Sequence, residues 1–191
     1  MKKKNKYQIL LFYLFLLPAF SILAFDDSDV FHDQVFLSAV KKSKYEKVTE
    51  MLQKNVSPNF LDSDDLVPLA YSLANEDQKM FEILLKAGAK INKTILDESS
   101  LLIFYINNGR FSMIEQLINH GADLNKQDSN GMTAMMHAIE KLNLNAVSVL
   151  SRKEFDLSLT DFSGKTIFDY ANRSRNLPIK RIIENIASLQ N

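Results

Sequence analysis

From about residue 30 onward, the apolar residues of this chain fall into short stripes that come in pairs, separated by polar, turn-rich connections. Phe36, Ala39 and Val40 make one stripe, and Val48, Met51 and Leu52 the next. Spacing of i, i+3 and i+4 puts each set on one face of a helix. The paired pattern returns with Leu69, then Phe81, Leu84 and Leu85. It returns again with Leu102, then Met113, Ile114, Leu117 and Ile118; with Ala138, then Ala146, Val147 and Leu150; and with Phe168, then Ile179, Ile182, Ile183, Ile186 and Leu189. The expectation is an all-α chain of helix pairs.

The polar connections repeat as regularly as the stripes. Gly121 stands where a helix would end in the left-handed conformation, and Asp128 to Gly131 supplies turn chemistry before Thr133 opens a new apolar run. Gly88 precedes Gly121 by 33 residues. Stepping Thr133 by that interval gives Gln34, Val67, Ser100, Thr133 and Thr166 as five starts, each followed two places on by Phe36, Leu69, Leu102, Met135 or Phe168.

The segments Gly121-Ala122-Asp123-Leu124-Asn125 and Thr133-Ala134-Met135-Met136-His137-Ala138 resemble the helix-ending Gly-Ala-Asp-x-Asn and the T-P-L-H-x-A of ankyrin repeats. The resemblance implies an all-α solenoid of about five helix-turn-helix repeats joined by β-hairpin-like loops. They would lie near residues 30–62, 63–95, 96–128, 129–161 and 162–191, within one domain over 30–191. Asn55 serves as the next-best left-handed helix end, and Pro68 suits a first helical turn. Three residues depart from the pattern. Asp65 replaces a turn glycine and predicts a looser or differently bent hairpin. Tyr105 replaces a small alanine and must displace something. Glu154 replaces a helix-ending glycine, so that helix must end another way.

The N-terminus carries a different signal. Met1-Lys2-Lys3-Lys4-Asn5-Lys6 is basic, Ile9 to Leu17 is uninterruptedly apolar, and Pro18 and small residues follow. That is the layout of a secretory signal peptide covering residues 1–21, with cleavage after Ala24 as the competing choice. An uncleaved membrane anchor is the alternative, since Ile9 to Phe25 approaches the roughly 17 residues that just span a bilayer. The lysine-rich start has a bacterial look, and the expected location is the periplasm, or otherwise secretion or N-terminal anchoring. The whole chain has 23 basic and 23 acidic residues, and losing residues 1–21 would leave a net charge of −4. A mildly acidic chain lacks the basic face that nucleic acid requires. The chain has no cysteine, so its stability comes from packing.

Candidate chemistry is sparse. No nucleophile elbow, phosphate-binding loop or H-E-x-x-H pair occurs, and His32, His120 and His137 fall at different places in the repeat. The sequence predicts no enzyme, no catalytic residue, no cofactor, no metal and no small-molecule substrate. It predicts a monomer that binds a protein partner.

Ankyrin-like solenoids bind partners through hairpin tips and inner helices. At the tips, Leu66, Leu96, Met132 and Phe162 are apolar where solvent would reach, with Ser99 and Lys165 beside them. They form either an interface row or packing between neighbouring hairpins. On the first helices, Tyr71, Phe104, His137 and Tyr170 recur at one repeat position, as core stacking or as a binding column. His137 in that column would make binding pH-dependent.

Overall fold

The computed structural model describes residues 27–189, in which the backbone forms ten α-helices and no strand. The signal-peptide segment, residues 1–21, and its alternative cleavage site after Ala24 lie outside the described residues. No helix among the described residues is long and apolar enough to cross a membrane.

The helices pair in chain order: α1 (Asp27–Lys41) with α2 (Tyr45–Gln53), α3 (Pro68–Ala74) with α4 (Gln78–Lys86), α5 (Leu101–Asn107) with α6 (Ile114–Asn119), α7 (Ala134–Glu140) with α8 (Leu144–Leu150), and α9 (Ile167–Arg173) with α10 (Leu177–Leu189). The first members stack in one row, α1 to α3 to α5 to α7 to α9, and the second members lie behind them. One apolar core runs through all five pairs, from Phe36 and Val48 to Ile179 and Ile183. Each pair with its preceding hairpin is a unit.

Local chemistry sets where the first helices begin. Ser100, Thr133 and Thr166 are N-caps whose hydroxyls accept the N–H of Ile103, Met136 and Asp169. Val67 occupies the same place without a side-chain bond, and Pro68 follows in the first turn. Gln34, expected as the first start, lies instead inside α1. No hairpin precedes it within α1, so the helix runs on from Asp27.

Four hairpin-like turns close alike, with the N–H of Asp62, Ile95, Asp128 and Asp161 donating to the carbonyl four residues on. They also stack: Leu96 N–H donates to Asp65 O at 3.1 Å, Ser129 N–H to Asp97 O at 3.0 Å, and Phe162 N–H to Asn130 O at 3.0 Å. Asp65 adopts φ 55°, doing the work of Gly131 at φ 76°, and closes the same bond. The looser hairpin expected there is not formed.

Behind the hairpins, asparagines join successive units. Asn59 donates to Gly88 O and accepts Lys90 N–H; Asn92 donates to Gly121 O and accepts Asp123 N–H; Asn125 accepts Asp156 N–H. Helix α8 stops at Leu150 with Ser151 in right-handed geometry, so Glu154 is spared the left-handed region. Tyr105 is fully buried, and its hydroxyl reaches Glu76 and Ser112 at 2.9 Å and accepts Met113 N–H at 3.1 Å. The larger ring thus joins the second and third units through its polar end.

Candidate functional site

The face made by the hairpins and first helices is built around one recurring link. In the second, fourth and fifth units, a turn aspartate spends one oxygen on its own hairpin and the other on an aromatic residue nine places on. Asp62 Oδ1 accepts the N–H of Asp64 and Leu66, while Oδ2 accepts the Tyr71 hydroxyl. Asp128 Oδ1 accepts Asn130 N–H and Met132 N–H at 2.9 Å each, and Oδ2 lies 2.8 Å from His137 Nε2. Asp161 binds Ser163 and Lys165 N–H, and the Tyr170 hydroxyl at 2.7 Å.

These contacts set the charge state of the turns. Burial acts to raise the Asp128 carboxyl, but Met132 N–H, His137 and Asn130 N–H outweigh it and hold it below the ordinary carboxylate range. Asp62 is lowered against the same burial by Tyr71 and by Leu66 and Asp64 N–H. Asp161 is lowered foremost by the Tyr170 hydroxyl, then by Lys165 N–H. Burial, then the facing carboxylate, raises Tyr71 and Tyr170.

Two depressions open on this face. One, of about 350 Å³, lies between the third and fourth units, lined by Leu96, Asp97, Ser99, Phe104, Asn107, Asn108, Asp128, Asn130 and His137. The other, of about 590 Å³, crosses from α7 to α9 and is lined by Ile139, Glu140, Leu142, Lys165, Tyr170, Arg173, Ser174 and Arg175. Both volumes suit the side chains of a partner. No group of three His, Cys, Asp or Glu side chains gathers as a metal site among the described residues.

The structure divides the sequence candidates. Leu96, Ser99, Phe104 and His137 meet at the first depression, and Lys165 and Tyr170 at the second. Tyr71 is half-buried against the core. The two readings of the tip residues Leu66, Leu96, Met132 and Phe162 divide between them, with Leu66 and Met132 packed and Leu96 and Phe162 exposed. Met132 is buried at 8 % and Leu66 half-buried, because the residue closing each hairpin turns inward with its carbonyl paired. Leu96 and Phe162 remain exposed, at 44 % and 75 %. Phe162 leans over Gly131, where a Cβ would come within 2.6 Å of its ring.

Sequence reasoning missed Glu140, Leu142, Arg173 and Arg175. Leu142 and Arg175 are one period apart, a spacing that could have flagged them. It also missed the aspartate partners, although Asp62, Asp128 and Asp161 share one period and one offset from their aromatic residues.

With caps, hairpins, stacked pairs and asparagine joints in place, residues 102–188 match the family model described as ankyrin repeats (3 copies). Over that stretch the chain carries ankyrin repeats. No curated protein matches its sequence significantly. The match runs from α5 to α10, and α3 and α4, ahead of it, repeat the same cap position and joints. Ankyrin repeats form protein-interaction modules, in general non-catalytic, and imply a protein partner for this chain.

Proposed function

We propose that this ankyrin chain is exported and regulates a protein of the bacterial cell envelope or periplasm by binding it non-covalently through its concave face and hairpin tips. The observation that carries this reading is the pair of depressions on the α5, α7 and α9 face, flanked by the exposed tips Leu96 and Phe162. The turn aspartates fix the frame beneath them, and a pre-ordered face limits the entropy lost on association. The basic and apolar start of the sequence supports export.

The test is capture from a gently solubilised envelope fraction by the full precursor with a C-terminal tag, beside a variant carrying Leu96→Ser and Phe162→Ser. One stoichiometric partner, weakened by at least about tenfold in the variant, is the expected result. Equal retention by both folded proteins, or none by either, defeats the reading. Intact mass of the product reports whether the N-terminal segment is removed.

A further inference from the structure

We propose that the depression between α7 and α9 is a carboxylate-binding socket for an acidic segment of the protein partner. This deepens the interaction reading above and rests on it.

Three cations elsewhere among the described residues pair with acids. Lys47 and Lys54 both pair with Glu50, and Arg110 pairs with Glu76. Lys165, Arg173 and Arg175 converge on one cavity of about 590 Å³ and make no ion pair among the described residues. Glu140 is the one acid on its wall. The local excess of positive charge stands out in a chain with 23 residues of each sign. Arg173 in the last turn of α9 also suits the helix dipole, but that accounts for neither Lys165, held on the hairpin, nor Arg175, beyond the helix end.

The chemistry of the wall selects the occupant. Guanidinium groups present a planar fork that matches a carboxylate with two parallel hydrogen bonds. Leu142, 54 % exposed and held at φ 53°, adds an apolar surface at the rim over buried Ile139. A peptide that alternates acidic with apolar side chains satisfies both. A nucleic-acid backbone does not, because Glu140 opposes a continuous run of phosphates.

The experiment uses the full chain and a dye-labelled peptide of Glu and Leu, with its Gln-for-Glu counterpart, read by fluorescence anisotropy. Binding of the acidic peptide, weak or absent for the Gln peptide and falling with added salt, is expected. Arg173→Glu with Arg175→Glu should weaken it by at least about tenfold, since each reversal removes an attraction and adds a repulsion. The neutral pair Arg173→Gln with Arg175→Gln should give a smaller loss at unchanged melting temperature. Arg152→Glu with Lys153→Glu, away from the cavity, should leave binding within about twofold. Equal losses in both reversed variants, equal binding of the two peptides, displacement by inorganic phosphate as readily as by unlabelled peptide, or no binding to the folded protein would each overturn the socket. Partner capture that needs Leu96 and Phe162 but survives the Arg173 and Arg175 reversals would overturn the socket alone and leave the interaction module standing.

Discussion

The third unit and its neighbours solve the same turn in opposite ways. In the second, fourth and fifth units an aspartate ties its hairpin to Tyr71, His137 or Tyr170. In the third unit the aspartate position holds Ile95, 4 % exposed, and the aromatic position holds Phe104, which has no polar group to offer. Both members of the pair are polar or both are apolar. A half-exchanged pair would leave a buried carboxylate or hydroxyl without its partner, which costs more than either complete arrangement. The backbone registers the change. Without a carboxylate to gather its N–H groups, the third hairpin bends through two left-handed residues, Asp97 at φ 54° and Glu98 at φ 55°, where the second uses only Asp65.

The sharpest way to break this comparison is Asp128→Ala. It strips the acceptor from Asn130 and Met132 N–H and leaves His137, whose Nδ1 already has no partner, buried with neither ring nitrogen bonded. A loss of about 3–4 kcal/mol in urea unfolding is expected. Ile95→Asp should cost about 2–3 kcal/mol, and adding Phe104→Tyr should recover about 1 kcal/mol. A double-mutant cycle with no coupling would show that the polar link cannot be transplanted into the third unit. Next come changes of opposite sign at one hairpin position. Gly131→Ala meets both a positive φ and the Phe162 ring and should lose about 2 kcal/mol, whereas Glu98→Gly relieves a left-handed glutamate and should gain roughly 0.5 kcal/mol. Thermal melts read both.

Acid gives the mildest separation. Asp62, Asp128 and Asp161 are held below their ordinary values, so the unfolded chain binds more protons than the folded one as pH falls. Their stabilisation is complete above about pH 4 and is lost as pH drops through the folded values. In NMR spectra the amides of Leu66, Met132 and Lys165, which donate to these carboxylates, should shift below about pH 4, while Ser99 in the third hairpin stays nearly still. Parallel shifts at Ser99 would erase the distinction.

Much of the frame was legible because it depends on local chemistry. Ser100, Thr133 and Thr166 cap helices wherever the chain folds, and Gly88 and Gly121 end them, so a period measured between two glycines placed α3 to α10. Gln34 failed because no hairpin interrupts α1 to make it a start. The site was less legible. Met132 looks like an exposed tip until the hairpin's own hydrogen bond turns it inward. The cationic socket draws Leu142, Lys165 and Arg175 from three separate connections, and only packing of α7 against α9 brings them together. The aromatic column was visible, but its aspartates sit in hairpins and its rings on helices, and a reading that treats the two apart does not pair them.

The asparagine joints carry a mechanical meaning. Asn59 and Asn92 each grip the following unit twice, once by donating and once by accepting. Asn125 grips the fourth unit once, and among the described residues its amide nitrogen makes no return bond to a helix-end carbonyl, where Glu154 replaces glycine. Stretched from its ends, a chain coupled only between neighbours yields seam by seam. The seam between the third and fourth units thus has one asparagine bond where each of the two before it has two. A partner seated in the depression between the third and fourth units would therefore clamp the seam that its asparagine holds by a single bond.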